Sequence, residues 1–148
     1  MRIMNRFTSK LLFSLVVALL ISAPVFADIA VIVNPANPVA TLSEDDVRRI
    51  FMGRMRLFPD SNESVEALDQ EEESAAFGDF YQAIARLTPA KLKRQRASYL
   101  FSGKGRLPTT LKDDAAVLEY VASHPGAIGY VTQEKLDTRV KTVMVMKP

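Results

Sequence analysis

Residues 28–34, DIAVIVN, form a β-branched run suited to a buried strand, and the following PANPVATL supplies two prolines that stop it. The pattern then changes period. Ser43 stands where it can cap a helix through SEDDVRRIFMG, with acids in the first turn favoured by the helix dipole and Gly53 at its end. After the turn FPDSNE, Val65 and Ala67 alternate with polar neighbours in SVEALD, which predicts a second strand.

Helical spacing returns in AAFGDFYQAIARL, where Phe77, Phe80, Tyr81 and Ile84 share a face behind a Ser74 cap. Thr88 and Pro89 read as the cap and first-turn proline of a further helix, AKLKRQRASYLF, joined to the previous one by a tight corner. The stretch SGKGRLPTT is rich in glycine, proline and hydroxyls, and so predicts irregular surface backbone. KDDAAVLEYVASHPG gives an amphipathic helix with Ala116, Val117, Tyr120 and Val121 on one face, stopped by His124, Pro125 and Gly126. AIGYV and VKTVMVM complete the set as strands, and Gly129 inside the first of them marks a close approach by backbone, ligand or packed side chain. Strands alternating with helices predict an α/β fold, a three-layer-like sandwich whose small mixed or mostly parallel sheet is flanked by helices. No repeat or low-complexity segment interrupts it.

The N-terminal residues stand apart. Arg2, Arg6 and Lys10 precede the apolar run LLFSLVVALLI and then SAPVFA, the pattern of a secretory signal peptide over residues 1–27. That run is shorter than the roughly 20 residues of a spanning helix, so no membrane span is expected after cleavage. Residues 28–148 then make one domain with enough chain for a hydrophobic core. Cleavage removes three of the 19 basic residues and none of the 17 acids, leaving a net charge of −1. A nearly neutral protein offers no global electrostatic case for nucleic acid. The absence of cysteine excludes disulfides and a lipid-modified cleavage site, and the leader points to the bacterial periplasm. The sole histidine, His124, lies beside a proline at a helix end, and no metal spacing or catalytic triad can be assembled from it; neither enzyme nor cofactor is expected. The basic run KLKRQR, with Lys91, Lys93, Arg94 and Arg96, reads as a solvated helix face.

Three pieces stand in a telling order: LSEDDVRRIFMGR, FSGKGRLPTT and VLEYVASHPGAIGYV. Together they resemble the phosphate-type periplasmic solute-binding proteins of ABC importers, of the type 2 periplasmic-binding-protein-like superfamily. The resemblance implies a binding-protein-like lobe, a small oxyanion such as phosphate as ligand, and an ABC permease as partner. It also implies an Arg-x-x-x-Ser-Gly-Thr element, whose hydroxyls and helix N-terminal amides take the anion. Here that stretch reads DQEEESAAF: Ser74 matches the serine, the arginine is missing, Ala75 and Ala76 replace Gly and Thr, and Glu71–Glu73 bring repulsive charge. The chain is also about half the length of a two-lobe member.

The ligand-binding residues expected are therefore Ser43 and Ser74 at helix N-termini, with Ser102, Gly103, Lys104 and Arg106 on the glycine-rich loop. The alternative function is a periplasmic interaction or sensor-accessory module of the same fold, acting on another envelope protein and carrying no transported ligand.

Overall fold

In the computed structural model, which describes residues 26–148, the first strand β1 spans Ile29–Val33 and buries every side chain. The expected leader lies outside the described residues except for Phe26 and Ala27. Helix α1 (Glu44–Phe51) follows, then β2 (Glu66–Gln70), the helices α2 (Ala75–Ala85) and α3 (Pro89–Phe101), and the short strand β3 (Thr109–Leu111). Helix α4 (Asp114–Ser123), β4 (Ala127–Thr132), a single 3₁₀ turn at Gln133–Lys135 and β5 (Lys141–Met146) complete the chain.

The five strands make one sheet in the order β3-β2-β4-β1-β5. β2 runs parallel to β3 and β4, whereas β1 runs antiparallel to β4 and β5, so the expected mixed sheet is present. Alternation along β1 divides the core. Ile29, Val31 and Val33 join Ile128 and Tyr130 beneath α1 and α2; Ala30 and Ile32 join Leu68, Ala127 and Val131 beneath α4. Burial on both faces explains why β1 reads as a continuous apolar run rather than an alternating one. The first layer is strongly aromatic: Phe80 stacks on Tyr130 with ring centroids 3.9 Å apart, and Phe51 meets both edge-on.

Local chemistry sets the helix ends. Ser43 and Asp46 form a reciprocal capping box on α1, Thr88 caps α3 ahead of Pro89, and Asp113 caps α4 by accepting from Ala116 N at 3.0 Å. α2 ends at Arg86, in the left-handed region at φ 55°, which makes the tight corner into α3. At the C-terminus of α4, Asn34 from the end of β1 donates its side-chain amide to the carbonyls of Val121 (2.8 Å) and Ala122 (3.0 Å). That long-range cap leaves no sequence signal beyond an asparagine after a strand.

Several expectations change in detail. Thr109 and Thr110 end the stretch expected to be irregular, yet with Leu111 they pair with β2 as an edge strand, Leu68 opposite Thr109. α4 turns a slightly different stripe inward: Val117, Leu118 and Val121 are buried, while Tyr120 sits half out with its hydroxyl on Glu66. His124, in extended conformation, is the residue that ends α4. Gly129 meets packed side chains, since a Cβ there would lie 2.5 Å from Val117 Cγ1. The glycine lets α4 approach the sheet.

Candidate functional site

The site is built from the C-terminal end of β2, where the strand buries two polar residues, Asp69 and Gln70, each 1% exposed. A carboxylate so placed must be compensated by donors. Asp69 Oδ2 accepts from Tyr81 Oη at 2.8 Å and Arg96 Nη2 at 2.8 Å; Oδ1 accepts from Tyr130 Oη at 2.5 Å. Arg96 also donates to the Tyr81 hydroxyl and lies over its ring. The Nε of Arg96 is buried without a partner among the described residues. Burial first, and the Asp69 charge second, push the Tyr81 and Tyr130 hydroxyls far above their usual range, so both stay protonated donors. One carboxylate thus ties α2, α3 and β4 to β2.

Gln70 extends this network to the surface. Its Nε2 donates to Tyr130 O at 2.9 Å and Asp114 Oδ1 at 2.7 Å, while its Oε1 accepts from Ser74 Oγ at 2.5 Å. Asp114 Oδ1 accepts from Thr132 N at 3.3 Å as well. The carboxyl ends of two parallel strands and the N-termini of α2 and α4 converge here, the position at which open α/β sheets hold their ligands. Ser74 occupies the N-cap of α2, yet its hydroxyl makes no cap bond. The surroundings are acidic, with Glu71, Glu72 and Glu73 all exposed.

The other expected residues are dispersed. The Ser43 hydroxyl is committed to the capping box, accepting from Asp46 N at 3.1 Å and donating to Asp46 Oδ2 at 2.6 Å. Ser102 follows α3 and turns its hydroxyl back onto Tyr99 O at 2.6 Å. Gly103 takes φ 69° with open space around it, and Lys104 is exposed. Arg106 is anchored through its backbone: a Cβ on Gly53 would lie 2.4 Å from Arg106 O. Its side chain borders two adjoining hollows of ≈ 440 and ≈ 470 Å³, shared with Ser64, Val65 and Ala67 rather than with Ser74 or Ser102. Only Ser74 enters the Gln70 network.

As members of this network the buried Asp69, Gln70, Tyr81 and Tyr130 and the half-buried Arg96 and Asp114 escape the sequence reading. Arg96 is a correction: it leaves the solvated face, where Lys91, Lys93 and Arg94 remain exposed, and pairs with Asp69. The available signal was spacing. Gln70 lies four residues before Ser74 and so falls on the arginine of the Arg-x-x-x-Ser-Gly-Thr element. Among the described residues no cluster suited to a metal ion occurs, and no helix is long and apolar enough to cross a membrane.

No protein-family model matches the sequence, and neither does any curated protein. Solved structures do match the fold. An ABC-type phosphate transport receptor from Vibrio cholerae superposes with a TM-score of 0.63 at 16% identity, over 80% of this chain and 47% of its own. A structure described as a phosphate ABC transporter substrate-binding protein with bound phosphate, from Clostridium perfringens, gives 0.64 at 17%, over 80% and 45%. PstS from Borrelia burgdorferi gives 0.58 at 16%, over 81% and 48%. The chain therefore shares the periplasmic-binding-protein-like fold and spans less than half the length of each of these neighbours.

Proposed function

We propose that this chain is a non-enzymatic solute-binding lobe, exported to the periplasm, that recognises a small oxyanion of the phosphate type and works with an ABC permease. The observation that carries the reading is the α2 N-terminus. Set at the carboxyl end of β2, it has a serine whose hydroxyl makes no cap bond, which leaves the Ala75 and Ala76 amides uncapped while the Phe77 amide donates to Ser74 O at 3.1 Å. Those uncapped amides, joined by the Ser74 hydroxyl once it turns its single proton from Gln70 Oε1 to the ligand, are the donor set an oxyanion needs, and the helix dipole favours negative charge there. Solved neighbours of this fold include one described with bound phosphate, which supports the ligand class.

Charge must come from elsewhere, because Gln70 replaces the expected arginine and Arg96 is spent on Asp69. In this reading Lys104 and Arg106 supply it from the exposed loop after α3, with Ser102 and Gly103 giving that loop its turn, which requires the loop to move toward the α2 N-terminus when an anion binds. Ser43 contributes only its cap. Glu71–Glu73 are exposed, so each costs only about 1 kcal/mol of repulsion in water at contact range. Affinity is accordingly modest.

A second reading has its own observation. Both donors of the Gln70 amide and its oxygen are satisfied internally, by Tyr130, Asp114 and Ser74, so the side chain at the arginine position of the element has no donor left for a ligand. An interaction or sensor-accessory module would need no more. Thermal melts with phosphate, sulfate and molybdate separate the two. The solute-binding reading expects one oxyanion to raise the Tm in a saturable way; melts unmoved by all three at millimolar concentration leave the interaction module standing.

A further inference from the structure

Helix α3 is poorly covered: of its thirteen residues only Leu92 is buried, and it ends in Leu100 and Phe101, the latter 92% exposed. Leu100, the residue before it, lines a hollow of ≈ 270 Å³ between α2 and α3, whose apolar walls also include Phe77, Leu92, Ala97 and Leu107. The molecule thus carries an aromatic knob next to an apolar hole that its own knob does not line. The margins carry opposite charge. Glu72 borders the hollow from the α2 side within the exposed run Glu71–Glu73, and Lys93 borders it from α3, next to exposed Lys91 and Arg94.

We propose that this face pairs with a second copy of the chain across a two-fold axis. Each Phe101 enters the partner's hollow, and the acidic run of one copy meets the basic run of α3 in the other. A two-fold interface uses the same patch twice, so a surface holding both knob and hole, and both signs of charge, is self-complementary as it stands. Desolvated aromatics set in pockets supply most of the energy at such interfaces, while rim charges set orientation and association rate. The pairing stands whether or not the α2 N-terminus takes an anion.

Sedimentation equilibrium of the purified chain at low salt tests it. The expected result is a reversible monomer–dimer equilibrium that weakens as salt rises. Phe101→Asp should weaken dimerisation by about thirtyfold or more without moving the urea midpoint, because the ring touches little in the monomer. Glu72→Lys and Lys93→Glu should each weaken association, and the double reversal should restore it. The proposal is overturned if the chain stays monomeric at about 1 mM, where even weak self-association of about −4 kcal/mol registers. It is equally overturned if Phe101→Asp dimerises like the wild type, or if Phe101 serves only to bind a different protein.

Discussion

The Ser74 end of α2 and the loop Ser102–Arg106 carry the same kind of sequence signal, a serine with small neighbours at a helix end, yet they are opposite in construction. The first is wired into the core: Ser74 bonds Gln70, Gln70 bonds Tyr130 and Asp114, and Tyr130 bonds Asp69. The second stands off it, with Ser102 folded onto its own helix and Gly103 in open space. The contrast teaches that preorganisation and charge have been separated. The rigid donors sit in acidic surroundings, and the exposed cations sit on a loop that shares no hydrogen bond with the Gln70 network.

The comparison breaks most dramatically at Asp69. Asp69→Ala strands Arg96, Tyr81 and Tyr130 in the core, and urea unfolding should show a loss of about 3–5 kcal/mol. Gln70→Arg tests the separation directly by putting a cation among the rigid donors: phosphate affinity should tighten about tenfold, a charge-assisted bond in exchange for a neutral one, with melting temperature as the control for folding. Tyr130→Phe probes the network through pH. Its hydroxyl is held above the ordinary range by burial and by Asp69, so above about pH 10 the unfolded chain releases a proton that the folded one keeps. Stability present below pH 10 is therefore lost as pH rises, and removing this tyrosine should make the alkaline decline shallower by about 1.4 kcal/mol per pH unit. Ser102→Ala and Lys104→Ala should change stability by less than about 0.5 kcal/mol while weakening any anion affinity. A loop variant that melts the protein would erase the distinction between the two regions.

What the sequence revealed follows the same division. Periodicity and caps located the four α-helices of the described residues, because Ser43, Ser74, Thr88 and the apolar stripe of KDDAAVLEYVASHPG are local signals that need no knowledge of the fold. Four of the five strands were legible from β-branched runs and alternation. β3 was not, since three residues on a sheet edge owe their conformation to β2 rather than to their own propensity. The candidate site was legible only at Ser74. Arg96 reads as a member of a basic run and Asp69 as a polar strand end; only tertiary packing brings these residues, 27 apart in sequence, within 2.8 Å.

The account rests on Ser74 and the uncapped amides of α2 receiving a small oxyanion. Calorimetric titration of phosphate into the wild type and Ser74→Ala at low salt tests that most directly. The predicted result is saturable binding by the wild type that the serine variant weakens by about tenfold, the value of one hydrogen bond to a charged ligand. Heats indistinguishable from dilution in the wild type, or identical isotherms for the two proteins, would contradict it.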